Sequence, residues 1–111
     1  MQILECIKTI LKEYSNKEIG YELANCVSFS PHHFCRTFKQ ITRKTTTDYI
    51  NTVRLDKATR YLKQGNLNIT EIAMKCGFDD INYFSRLFRK HYDITPTKCR
   101  KLYSKPFLKA F

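Results

Sequence analysis

The chain has 111 residues and carries 20 Lys plus Arg against 10 Asp plus Glu, a formal net charge of +10. That length allows one modest domain of packed helices, and the charge asks for a polyanionic partner: duplex DNA, RNA or an anionic membrane. Its five cysteines are odd in number, form no Cys-x-x-Cys pair, and sit beside neither a secretory leader nor an 18-residue apolar run. A disulfide framework and a membrane span are thereby excluded, and a cytoplasmic protein is expected.

The first predicted helix is amphipathic, with Ile3, Ile7, Ile10, Leu11 and Tyr14 on its apolar stripe and Lys8, Lys12 and Glu13 on its wet side. It runs for about three turns and Ser15-Asn16 ends it. A short second helix, Tyr21 to Val27, follows, with Leu23, Ala24 and Val27 facing inward. Ser30-Pro31 opens a third, because serine caps a helix and proline suits its first position. Phe34, Thr37, Phe38 and Ile41 face inward on it, and His32, Arg36 and Lys39 face out.

A long helix comes next, capped by Thr46 or Thr47 and packed through Tyr49, Ile50, Val53, Ala58, Tyr61 and Leu62. Lys63 suits the negative end of its dipole and Gly65 is a natural terminator. Some 17 residues make a rod of about 25 Å.

The stretch from Ile69 to Tyr92 reads as a complete helix-turn-helix. Thr70 is the expected cap of its first helix, whose stripe is Ile69, Ile72, Ala73 and Cys76, and Gly77 supplies the turn. Asp79 or Asp80 caps the second helix, where Phe84, Leu87, Phe88 and His91 form the apolar face. Asn82, Arg86 and Arg89 point away from that face, with Ser85 at its margin, the layout of a helix that lies in a DNA major groove. Asp93 is expected to end this helix in a left-handed conformation. Thr95-Pro96 starts a last short helix through Arg100, Leu102 and Tyr103, and residues 106–111 form a tail expected to fray.

The chain also repeats itself. Phe34, Arg36, Phe38 and Lys39 recur 50 positions later as Phe84, Arg86, Phe88 and Arg89, while Glu22-Leu23-Ala24 recurs as Glu71-Ile72-Ala73 with an offset of 49. Two helix-turn-helix units in tandem follow, 19–45 and 69–103, on either side of a linker helix at 46–65. Each unit is marginal alone. The architecture expected is therefore all-α, two helix-turn-helix subdomains joined by one long helix, about seven helices within the single domain 1–111. Charge follows the repeat: residues 30–64 hold eight Lys or Arg against two Asp, and residues 82–105 hold seven against one.

Several of these pieces resemble the AraC/XylS family of bacterial transcription regulators. They are Ile69-Thr70-Glu71-Ile72-Ala73, Gly77-Phe78, Tyr83-Phe84-Ser85-Arg86-Leu87-Phe88-Arg89-Lys90, Thr95-Pro96, and Arg54-Leu55 with Ala58 and Leu62 as the linker helix. The resemblance implies base contacts from outward positions early in both recognition helices, held here by His32, Cys35 and Arg36, then by Ile81, Asn82, Ser85 and Arg86. It implies an activator that recruits RNA polymerase at double-stranded DNA. Arg43 stands where the family has a glycine, and it either turns left-handed or continues the helix to meet phosphate. Thr46 stands in place of a proline, and Cys99 in place of a common aromatic. The effector domain of many relatives is absent from these residues, and an excised domain is favoured over a complete regulator.

Arg36 and Arg86 are candidates for bidentate contacts to guanine, and Asn82 for adenine, although an asparagine near a helix start also serves as a cap. Ile81 either touches a thymine methyl or staples the turn. Lys39, Arg43, Arg89 and Lys90 are the candidate phosphate contacts. His32, His33 and Cys35 do not make a metal site, since three candidates on one helix point in different directions, and Cys35 reads as a small interface residue rather than an oxidation sensor. No cofactor and no catalytic set is expected: three glycines include no phosphate-cradling loop, and no Ser-His-acid arrangement is spaced for catalysis. The rival reading is a basic helical RNA-binding module, which would need exposed aromatics to stack unpaired bases.

Overall fold

The computed structural model describes residues 3–26 and 31–103. Seven α-helices occupy them: α1 (Ile3–Glu13), α2 (Ile19–Cys26), α3 (Pro31–Thr42), α4 (Thr46–Gln64), α5 (Ile69–Lys75), α6 (Ile81–Tyr92) and α7 (Pro96–Tyr103). No strand occurs among the described residues. The chain divides into two compact units, Met1–Arg54 and Leu55–Phe111, so α4 contributes residues to both. No described helix is long and apolar enough to cross a membrane.

In the first unit one cluster gathers Ile3, Cys6 and Ile10 of α1, Ile19 and Leu23 of α2, Phe34 and Phe38 of α3 and Ile50 of α4. The buried seam of α1 is narrower than its apolar stripe. Leu11 was expected to pack but is half exposed, as is Leu4, because both lie about 80–100° round the helix from Ile3. Ile41 likewise departs from the expected inward position and is exposed, since it falls in the last turn of α3, past the end of the covered face at Phe38. α2 begins at Ile19, two residues before the expected Tyr21, because Ile19 is needed in the core. Asn16 braces that start: its carbonyl accepts from the Ile19 amide at 3.2 Å and its side-chain oxygen from the Glu18 amide at 3.0 Å. The expected end of α2 at Val27, the cap at Ser30 and the tail at 106–111 lie outside the described residues.

The linker helix is capped by Thr45, not by Thr46 or Thr47. The Thr45 hydroxyl accepts from the Asp48 amide at 3.1 Å, which places Thr46 in the first turn, where a proline would also fit. Arg54, in the middle of α4, donates from Nε to the Tyr14 carbonyl at 2.7 Å and from Nη2 to the Asn16 carbonyl at 2.9 Å. It thereby ties α4 to the segment that follows α1, adding a second donor to the Asn16 carbonyl that also accepts from the Ile19 amide.

In the second unit Leu55, Ala58 and Leu62 of α4 meet Ile72, Ala73, Cys76, Phe78, Phe84, Phe88 and Cys99 in one cluster. Leu55, which the periodicity argument passed over, is among its most buried members. Gly65 ends α4 with φ 78° and Gly77 turns the chain between α5 and α6 with φ 102°, both in the region that suits glycine. The cap of α5 is Asn68 rather than Thr70. Asn68 accepts from the Glu71 amide at 2.8 Å while the Glu71 carboxylate accepts from the Asn68 amide at 3.1 Å, a closed capping box. Cys99 fills the place of an aromatic as a buried thiol, and burial pushes its pKa up. The Arg100 guanidinium donates to the Leu67 carbonyl and ties α7 to the turn after α4.

Candidate nucleic-acid interface

Each unit seats one helix on a pair of adjoining phenylalanines, their rings tilted against each other, and leaves the opposite face of that helix in solvent. In α6, Phe84 and Phe88 are buried, with ring centroids 5.8 Å apart, and Phe78 packs on Phe84 at 5.1 Å. Asp80 is the cap, choosing between the two expected aspartates. Its backbone is extended and its carboxylate accepts from the Asn82 amide at 2.8 Å. That bond uses the backbone of Asn82 and leaves its side chain exposed at the start of the helix. Arg86, Arg89 and Lys90 are exposed and Ser85 is half-buried. His91, expected on the apolar face, is exposed instead, at the position equivalent to Ile41. Ile81, the first residue of α6 after its cap, is half-buried and packs against the second core.

In α3, Phe34 and Phe38 are buried with centroids 5.8 Å apart, and Phe38 meets Tyr49 edge-on at 5.6 Å. His32, Cys35, Arg36 and Lys39 are exposed on the other side. Two open hollows border this face. One, of about 360 Å³, is lined by His32, Cys35, Arg36 and Lys39 of α3 and by Thr45, Thr46 and Thr47 at the start of α4. The other, of about 460 Å³, is lined by Arg36, Lys39, Gln40 and Arg43. Neither has an acidic residue in its wall, so the face attracts anions and presents hydroxyl and cationic donors to them. Gln40 and Thr45 were passed over in the sequence, and Thr46 and Thr47 were read as helix caps and not as interface residues, although the Thr45-Thr46-Thr47 run behind Arg43-Lys44 is the signal that could have found them.

Arg43 resolves one open alternative. It turns left-handed, with φ 67°, as does Asp93 with φ 66°. Its amide donates to the Lys39 carbonyl at 2.8 Å and closes the end of α3, and its side chain is exposed beside the second hollow. No group of three or more His, Cys, Asp or Glu residues suited to a metal ion comes together among the described residues. Exposed aromatics, which the RNA-binding reading would need, do occur: Tyr21 on α2 and Tyr83 on α6.

The profile of the family described as a helix-turn-helix domain matches residues 23–102. The HTH-type transcriptional activator RhaS of Klebsiella pneumoniae (strain 342) is 39% identical over 92 residues, a match that covers 82% of this chain and 33% of RhaS. The chain thus spans about a third of the length of that relative. Among solved structures, the C-terminal domain of AraT, a response regulator from Geobacillus stearothermophilus, superimposes with a TM-score of 0.84 at 27% identity, covering 90% of this chain and 84% of that one. A transcriptional regulator from Chromobacterium violaceum, described by its AraC-type DNA-binding domain, gives a TM-score of 0.77 at 26% identity and covers 94% and 93% of the two chains. The tandem units, the linker helix and these likenesses agree: the chain belongs to the helix-turn-helix DNA-binding domains of the AraC/XylS family.

Proposed function

We propose that the chain binds double-stranded DNA sequence-specifically as part of a transcription regulator of the activator type, with α3 and α6 as its two recognition helices, each in a major groove. The observation that carries the reading is the paired design. Each helix is anchored by buried phenylalanines on one side and bears an exposed arginine, Arg36 or Arg86, flanked by further polar and cationic groups on the other. Base edges fall to His32, Cys35 and Arg36 in one groove and to Asn82, Ser85 and Arg86 in the other, with Ile81 chiefly packing on the second core at the start of α6. Phosphates fall to Lys39, Arg43, Arg89 and Lys90, which fix register without reading sequence. RhaS is described as a transcriptional activator, which supports RNA polymerase as the partner of the intact protein and the cytoplasm as its place.

Titrating Arg86→Ala and Lys39→Ala against a selected site and a random duplex tests the assignment. Arg86→Ala should cost about 1–3 kcal/mol at the selected site and relax the preference at one base position. Lys39→Ala should weaken both duplexes about equally. Equal losses for Arg86→Ala would reduce it to a phosphate contact. Tighter binding to single-stranded RNA than to duplex DNA would favour the RNA-binding reading, for which Tyr21 and Tyr83 would be the stacking platforms.

A further inference from the structure

The two units are alike in more than their sequence repeat. α3 and α6 each have 12 residues, and both ends of one lie 50 positions from those of the other. Each ends in a left-handed residue, Arg43 or Asp93, whose amide donates to a carbonyl four residues back, Lys39 or Arg89, at 2.8 Å in both units. Each is followed by a threonine cap. The hydroxyl of Thr45 accepts from the Asp48 amide at 3.1 Å, that of Thr95 from the Lys98 amide at 3.2 Å. The carbonyls of the same two threonines accept from Tyr49 and Cys99 at 2.9 Å each. The seating rings match too: Phe34–Phe38 and Phe84–Phe88 both lie 5.8 Å apart, tilted by 52° and 56°. Residue by residue, the pattern of burial from 32 to 43 is that from 82 to 93, apart from Cys35 against Ser85.

A helix held this similarly by its own unit presents equivalent positions at equivalent depth to whatever docks on that unit. We propose, resting on the DNA-binding reading above, that the operator consists of two half-sites written in one grammar. Both carry a guanine at the same internal position, read by Arg36 in one and Arg86 in the other. They differ at the neighbouring position read by His32 or Asn82. The chemistry sets which bases these are. A guanidinium matches the O6 and N7 acceptors of guanine, and an asparagine amide matches the acceptor and donor of adenine. An imidazole can donate a ring N–H, so His32 suits a purine acceptor without the two-point fit that singles out adenine. His32 and Asn82 stand one helical turn before Arg36 and Arg86, on the same exposed face, so each pair reads adjoining base steps.

The test is selection of bound sites from a random duplex pool by the 111-residue chain, its variants Arg36→Ala, Arg86→Ala, His32→Asn and Asn82→His, each checked for helicity and melting. The wild-type chain should enrich two guanines at equivalent places in two half-sites. Arg36→Ala should lower the preference at one of them by about five- to 150-fold, Arg86→Ala at the other. His32→Asn should bring adenine into the first half-site at the position where the second already has it, and Asn82→His should remove it from the second. Folded variants in which the arginine substitutions relax one and the same position would overturn the proposal. So would an asparagine at 32 that leaves the first half-site unchanged. A chain that retards no duplex pool even at low salt would instead bring down the DNA-binding reading itself.

Discussion

At the scale of single residues, three side chains have consequences that can be measured. Arg54 is a cation on the linker helix whose hydrogen bonds go to the carbonyls of Tyr14 and Asn16, about 40 positions away in sequence. Hydrogen bonds from charged donors contribute roughly 1.5–3 kcal/mol, so Arg54→Ala should destabilise by about that much in chemical denaturation, while Arg60→Ala, whose partner Asp56 is a solvated neighbour on the same helix, should change little. Arg43 occupies a left-handed conformation that costs an L-residue about 1 kcal/mol. Arg43→Gly should therefore raise stability by up to about 1 kcal/mol and yet weaken DNA binding, with the salt slope smaller by about one. A variant that is both more stable and equally tight would remove Arg43 from the phosphate contacts. In the second unit, burial raises the pKa of Cys99 and Tyr103, and burial followed by the charge of Asp56 raises that of Tyr92. These groups are neutral when protonated and hold their protons more firmly in the folded chain than in the unfolded one. Stability is thus fully present below their unfolded values and falls as pH rises from roughly 8.5, where a free thiol begins to ionise. Denaturation midpoints followed from pH 7 to 10.5 should decline, and Cys99→Ala should make the decline shallower.

At the scale of elements, the short helices depend most on their ends. α5 has only seven residues, too few to be stable by propensity, so it relies on packing and on the Asn68–Glu71 box. Asn68→Ala should cost about 0.5–2 kcal/mol, whereas Thr70→Ala, inside the helix, should cost no more than a few tenths. The same comparison at α4 sets Thr45→Ala against Thr47→Ala. Equal costs within either pair would move the cap back to the residue the sequence favoured. Both misplacements have one cause. Thr70 and Asn68, like Thr45, Thr46 and Thr47, are all residue types that cap, so the capping side chain alone does not choose among them, whereas each helix must start where it lets Ile69 pack against the second core and Ile50 enter the first. Where only one candidate stood at the helix start, as with Thr95-Pro96, the sequence placed the start of the helix correctly, and Thr95 is its cap.

At the scale of the whole molecule, the proposed two-groove binding calls on the two basic stretches and on the continuous linker helix. If Lys39, Arg43, Arg89, Lys90 and neighbouring cations neutralise about six to eight phosphates, log K should fall against log[salt] with a slope of roughly −5 to −7. A slope shallower than about −2 on duplex DNA would count against two helices acting together. α4 gives Ile50 to the first core and Leu55, Ala58 and Leu62 to the second. One alanine inserted between Arg54 and Leu55 would leave both sets of contacts whole while turning everything after it by about 100° and advancing it about 1.5 Å. The proposed two-groove binding then predicts a footprint shrunk to about one half-site, with circular dichroism unchanged. An undiminished footprint in the folded insertion variant would show that the linker helix does not set the distance between the helices.

By itself the sequence determined which segments are helical, where glycine or, at Asp93, a left-handed residue turns the chain, and which two helices bear the arginines. All of these rest on local chemistry: a stripe that recurs every three to four residues, a proline that suits a first turn, a repeat offset by 50 that carries Phe34, Arg36 and Phe38 onto Phe84, Arg86 and Phe88. The candidate site was legible for the same reason, because a side chain opposite a buried phenylalanine must face solvent. Tertiary structure alone decided the rest. The periodicity of α1 and α3 admitted Leu11 and Ile41 to the apolar face, yet only the seam that meets another helix is buried, and both remain exposed. No local pattern could show that Arg54 reaches back to Tyr14 and Asn16, or which side chains of other helices Leu55 meets in its core. Those partners lie far along the chain or on another helix, and which of them meet is fixed by packing, where the gain from covering an apolar surface outweighs local preference.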